Sequence, residues 1–200
     1  MTIVTNNTIQ PASGQALTIK DEGGTASITV QTDGDLTLAE NAYLGSGKGI
    51  FFDGQTTSAN QLSDYEEGTW TPIIGGSGGQ SGQSYSTQTG IYTKIGDLVC
   101  CEFYVTLSAK GTISGSYAVI GSLPFNTSST FAGGGTIGFW DNLASNVRSV
   151  GAYLPGSASY SYLTFETSGA TAGSTSAQLM TSTQIGNSTR FNGTITYRVA

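Results

Sequence analysis

Apolar and polar residues alternate along much of this chain, and no convincing stretch repeats with the 3.6-residue period of an amphipathic helix. The best helical candidate, Ser58-Ala59-Asn60-Gln61-Leu62-Ser63, is a turn or two at most. A period of two sends successive side chains to opposite faces of a strand, so the chain is expected to be all-β. Composition agrees: 37% of residues are hydrophobic, only 10% are charged, and Ser and Thr dominate the polar ones. Branched and aromatic side chains suit a pleated, half-buried surface. Disorder would need few aromatics and a high net charge.

The strand signals are of two kinds. Leu17-Thr18-Ile19, Ser27-Ile28-Thr29-Val30, Leu36-Thr37-Leu38 and Ile50-Phe51-Phe52 are very short. Between them stand turn sequences: Asp21-Glu22-Gly23-Gly24, Asp33-Gly34-Asp35, Gly45-Ser46-Gly47-Lys48-Gly49 and Asp53-Gly54. Such strands recur about every ten residues, as in solenoids and fibrous shafts. One copy buries little, so intertwining of identical chains about a three-fold axis is the economical solution; a small meander packed on the rest of the chain is the other. Longer strands follow. Gly90 to Leu107 reads as a hairpin turning at Gly96-Asp97, with a flexible Gly/Ser/Gln loop expected before it at Gly75 to Gln83. Further strands are expected at 73–74, 116–121, 135–140, 147–154, 160–167, 178–183 and 190–199, spaced as in an antiparallel sandwich of jelly-roll type.

Charge and residue inventory exclude several functions. The net charge is −6, and the seven Lys and Arg are scattered. Nucleic acid or an anionic membrane surface would demand clustered cations. The apolar runs fall far short of the ~20 residues that span a bilayer, so membrane insertion is not expected. Met1 to Asn7 has no basic or apolar stretch, so no secretory signal is expected and synthesis in a cytoplasm is. Without histidine, a His-containing metal site and a Ser-His-Asp or Cys-His nucleophile are excluded. Cys100 and Cys101 are adjacent, point to opposite faces of a strand, and are expected as unpaired thiols, at least one of them buried. No cofactor is expected.

Tyr65-Glu66-Glu67-Gly68-Thr69-Trp70-Thr71-Pro72 marks the joint between the two kinds of strand. With Gly90-Ile91-Tyr92-Thr93-Lys94-Ile95-Gly96, Ile120-Gly121-Ser122-Leu123-Pro124-Phe125-Asn126 and the closing Gly193-Thr194-Ile195-Thr196-Tyr197, it resembles a domain of bacteriophage tail-fibre and other virion structural proteins. Gly49-Ile50-Phe51-Phe52-Asp53-Gly54 and Leu62-Ser63-Asp64 look like the fibre shaft that precedes that domain. The likeness covers about residues 40–200, with its motifs within 62–125. It implies a homotrimeric, β-rich appendage on a phage particle. The expected layout is an N-terminal attachment arm at 1–16, a short trimer-forming β-shaft at 17–62 and a β-sandwich head at 63–200.

Candidate sites follow from chemistry. Trp140, Asp141, Asn142, Asn146 and Arg148 combine an aromatic with amides and charges. Tyr153, Tyr160 and Tyr162 lie in a Tyr/Ser/Gly loop. Aromatics among Ser, Gly and Asn make the adaptable contacts of paratopes, and both groups are candidate receptor-binding residues. Phe51, Phe52, Tyr65 and Trp70 are candidates for packing at the joint or between subunits. Glu66-Glu67 beside Asp64 reads as a solvated or salt-bridging turn, since adjacent side chains point apart and a glycosidase needs two carboxyls facing one bond. Asp33-Gly34-Asp35 supplies too few oxygens for calcium. Sequons at Asn6, Asn126, Asn187 and Asn192 read as chance. The expected function is a non-enzymatic tail fibre or spike of the virion, bound to other virion proteins through its arm and to a host surface glycan or protein through its head. The alternative is a capsid decoration protein of the same fold.

Overall fold

A computed structural model of the protein describes residues 16–20, 23, 26–30, 35–38, 41–42, 44, 49–51, 61–62, 64–131, 133–167 and 178–199. The chain divides into two compact units, 1–48 and 49–200. All the regular elements among the described residues are strands.

In the first unit β1 (Leu17–Lys20), β2 (Ala26–Val30) and β3 (Leu36–Leu38) form an antiparallel sheet in that order. Its strands are too short to enclose a core. Ile19 is 50% exposed, Leu36 63% and Leu38 37%, and none of the unit's described residues is buried.

The second unit begins with a small pair, β4 (Ile50–Phe51) and β5 (Gln61–Leu62). Gln61 and Leu62, placed in a helical turn by the sequence reading, are therefore strand; Ser58 to Asn60, Ser63 and Phe52 lie outside the described residues. The long strands follow: β6 (Tyr65–Trp70), β7 (Ile73–Gly76), β8 (Gly79–Ser81), β9 (Ser84–Ile95), β10 (Leu98–Ala109), β11 (Thr112–Ser114), β12 (Ala118–Gly121), β13 (Gly133–Leu143), β14 (Val147–Leu154), β15 (Tyr160–Thr167), β16 (Gln178–Leu179) and β17 (Ile185–Arg198). One antiparallel sheet runs β6-β9-β10-β17-β13-β14-β15-β12-β7, and β16 pairs with β15 beyond the β12 contact. The two ends of this path, β6 and β7, are consecutive strands joined by Thr71 and Pro72 alone. Two residues span less than ~10 Å, so the sheet must curl until its edges approach. Bonds across the gap agree: Gln88 Nε2 on β9 donates to Pro72 O at 3.0 Å, and Ile74 N on β7 donates to the Tyr85 hydroxyl of β9 at 3.2 Å. The result is an all-β, sandwich-like head.

Two expectations are corrected. Gly75 to Gln83 is not a flexible loop; it ends β7, turns at Ser77-Gly78 and forms β8, which pairs with β11. Glycine permits this approach, since a Cβ on Gly76 would lie 1.9 Å from Ser114 O. Residues 178–183 are strand only over Gln178–Leu179 and then turn. The expected hairpin is present, with Gly96 at φ 59° in its turn.

The core lies inside the curl. Along β10 Val99, Cys101, Phe103, Val105 and Leu107 point inward, and from β17 Phe191, Ile195 and Tyr197 meet them. Both thiols are free. Cys101 is buried against the Tyr197 hydroxyl at 4.0 Å, and burial pushes its pKa up to about 12. Trp70 caps the core from β6, edge-on to Phe103 at 5.9 Å between centroids, its Nε1 donating to Ile91 O at 3.2 Å. Gly90 leaves room for that indole, since a Cβ there would lie 2.4 Å from Trp70 Nε1. We expect Gly90→Ala to lose ~1–3 kcal/mol by overpacking. Gly138→Ala, with nothing within 4 Å of the added carbon, is expected to stay within ~0.5 kcal/mol of the parent. Urea denaturation of both variants decides it; equal midpoints would mean that Trp70 does not lock this edge.

Candidate functional site

Outward-facing positions of β12, β14 and β15 carry an aromatic cluster. Tyr153 and Tyr162 are cross-strand partners, and Val119 is the partner of Tyr162 on its other side. Opposed residues of an antiparallel pair share a face, as do residues two apart on one strand, so Tyr160 joins them. Tyr117 enters from just before β12. Tyr162 is the centre: its ring stacks on Tyr153 (6.3 Å, 11°) and meets Tyr117 (5.6 Å) and Tyr160 (5.2 Å) edge-on. Such pairs add ~0.5–1.5 kcal/mol each beyond the area they bury. Tyr153 is 44% exposed and Tyr117 38%. Val119 beside them is 3% exposed although it stands outside the core cluster. The arrangement is a rigid, solvent-facing aromatic platform with phenolic hydroxyls around it.

The turn that precedes Tyr160 is pinned. Thr127 Oγ1 donates to Pro155 O at 2.6 Å and accepts from Ala158 N at 2.9 Å. Ser157 takes a left-handed φ of 56° there. Tyr153 and Tyr160 to Tyr162, expected in one loop, thus stand on the ends of two strands flanking a tight turn.

The second predicted group is at the far end of β13. Asn142 sits at a bulge with φ 56°. Its Nδ2 donates to Ser188 O at 3.3 Å, and its carbonyl accepts from Thr189 Oγ1 at 2.8 Å. Asp141 Oδ1 accepts from Asn142 N at 2.8 Å. Asp141, Asn142, Asn146 and Arg148 are exposed, whereas Trp140 packs against the core. The bulge at Gly138, between Ile137 and Phe139, reverses the alternation, so Phe139 faces solvent at 49% exposure. Of the joint candidates, Trp70 is buried, Phe51 is 42% exposed and Tyr65 59%, and Phe52 is outside the described residues.

Glu66 and Glu67 lie on strand β6, not in a turn, and accept the hydroxyls of Tyr92 and Tyr65. The ion pair nearby is Asp64 with the buried Lys94, whose ammonium lies 5.8 Å from the Phe125 ring centroid. Asp33 and Gly34 lie outside the described residues. Among the described residues no three Cys, Asp or Glu side chains gather as a metal site requires. The sequence reading omitted Tyr117, Tyr104 and Arg190 as site residues. Their strands were legible, but their neighbours depend on register.

Compared with family models, with curated proteins and with solved structures, the chain finds no match.

The hydrogen bond with Tyr160 and burial among the rings raise the Tyr162 pKa to about 12 from the usual 10.0. The fold therefore favours the neutral phenol. That contribution is complete below the usual value and lost as pH rises toward about 12. We expect the parent to lose more thermal stability across this alkaline window than Tyr162→Phe. In Tyr160→Phe, Tyr162 should ionise at lower pH by absorbance near 295 nm. An unchanged titration would mean that the two hydroxyls are not bonded in solution.

Proposed function

We propose that this chain is a non-enzymatic virion structural protein, a homotrimeric tail fibre or spike whose head binds the host cell surface through the tyrosine platform. The observation that carries the reading is the gathering of Tyr117, Tyr153, Tyr160 and Tyr162 on one outward face. Rigid aromatics with hydroxyls make large contacts at low entropic cost, as paratopes do, and a ring face stacks on the apolar face of a sugar. Three heads on one stalk would add avidity to weak single sites. The order of short strands before long ones, and the resemblance of the 65–72 segment to virion appendage domains, support a position on a virus particle.

Assembly is supported by apolar side chains left in solvent by a single chain. In the first unit these are Ile19, Leu36 and Leu38. In the second, Tyr65, Ile95 and Leu98 form one row across β6, β9 and β10, at 59%, 49% and 41% exposure. Contiguous apolar patches mark interaction sites, and identical chains about a three-fold axis would cover them.

Light scattering at micromolar concentration is expected to give three times the 20.6 kDa of the chain; a monomer would overturn the assembly. In the same measurement Tyr65→Arg with Leu98→Asp is expected to shift the mass toward monomer.

For binding, Tyr153→Ala with Tyr160→Ala should reduce adsorption of the purified protein to host cells at least tenfold while leaving the far-ultraviolet dichroism of the parent. Unchanged adsorption would remove the platform from the reading. Gold-labelled antibody on particles should decorate the tail or its fibres. Label spread over the capsid would replace host attachment by capsid decoration, with residues 1–16 as the attaching segment.

A further inference from the structure

The outer face of β10, β17 and β13 holds an arginine between two aromatic rings. Tyr104 on β10 and Phe139 on β13 are both cross-strand partners of Asn192 on β17. Arg190, two residues before Asn192 on the same face, lies with its Cζ 5.8 Å from the Tyr104 ring centroid and 5.7 Å from that of Phe139. Both rings are partly in solvent, Tyr104 at 37% and Phe139 at 49%. Cation–π attraction from two sides holds the guanidinium in place.

Among the described residues this arginine has no acidic partner. The ion pairs among the described residues are Lys94 with Asp64 and Arg198 with Asp97. Asp141 stands opposite Arg190 on β13, yet its Oδ1 is turned to the Asn142 amide. Arg190 Nε is buried without a hydrogen-bond partner, and so is Thr106 Oγ1 at the opposed position on β10.

Tyr104 and Asn192 also border a surface groove of about 290 Å³, which continues over Glu102, Thr89 and Thr194. That volume is at the lower end for ligand pockets. Its wall joins the Tyr104 ring and the exposed side chain of Ile91 to an amide, two hydroxyl side chains and the Glu102 carboxylate.

We propose that Arg190, held between Tyr104 and Phe139, binds the carboxylate of an acidic sugar, and that a neighbouring neutral sugar occupies the groove along Asn192 and Thr194. A guanidinium offers paired N–H donors in the plane of a carboxylate. The flanking rings offer faces to pyranose C–H groups. Glu102 in the groove repels a second carboxylate, so the fitting polymer alternates acidic and neutral residues. The site is separate from the tyrosine platform and rests on its own geometry.

The probe is a tetrasaccharide alternating glucuronate and N-acetylglucosamine, with its carboxyl methyl ester as the neutral control. Calorimetry and amide chemical shifts are read on the full chain. The acid form is expected to bind, to shift the amides of Tyr104, Phe139, Arg190 and Asn192, and to weaken as salt is raised. Esterification and Arg190→Gln should each weaken it at least tenfold, Arg190→Lys should recover only part of the loss, and Tyr153→Ala with Tyr160→Ala should leave it unchanged. Equal binding of acid and ester, or no binding of the acid at millimolar concentration, overturns the proposal. The ester comparison needs no variant, so it stands even if Arg190→Gln does not fold.

Discussion

Thr71 and Pro72 impose the constraint on which the head depends. They connect β6 to β7, and these strands are the opposite edges of one sheet. An open twisted sheet of this size would hold its edges far apart. A two-residue link forbids that, so the sheet rolls up and the inner faces of β10 and β17 are covered by β12, β15 and the Trp70 end of β6. Proline suits the position because it has no N–H to lose and belongs at edges. The same closure engages the β7 edge: Gln88 and Tyr85 of β9 reach across to Pro72 and Ile74.

Closure also divides the surface into distinct patches. Curling places β12, β14 and β15 side by side with their tyrosines outward, while β10, β17 and β13 present Tyr104, Arg190 and Phe139 on another stretch of the same outer face. Apart from Tyr117, the ring-bearing residues of both patches stand on strands. Strand positions are held by ladder hydrogen bonds on both sides, so the rings are preorganised and a ligand would order little on binding. The row Tyr65, Ile95 and Leu98 lies near the start of the head.

Much of the fold was legible in the residues. The hairpin about Gly96-Asp97 followed from turn chemistry, β14 and β15 from alternation bounded by Gly, Pro and Ser, and the burial of one thiol from the opposed directions of Cys100 and Cys101. The Gly75–Gln83 segment was misread because its glycines looked like slack. Gly76 and Gly78 instead permit close approach to Ser114 and Gly115, which lie over 30 residues away in the chain. Trp140 was expected as a surface aromatic, yet it packs on the core while Phe139 faces solvent, because a bulge is invisible to alternation. One extra residue at Gly138 flips the side chains after it as far as the second bulge at Asn142.

The sequence by itself determined that the chain is all strand, that short strands precede long ones, and that histidine-dependent chemistry is excluded. These are properties of local pattern and composition, set by side-chain period, turn residues and residue inventory. The tertiary structure decided which strands meet. Tyr162 acquires three aromatic neighbours only because β12 and β14 pair on either side of β15, and Arg190 acquires its two rings only because β10 and β13 flank β17. Register and bulges place those residues in contact, and they follow from global closure of the sheet; no local stretch of residues encodes them.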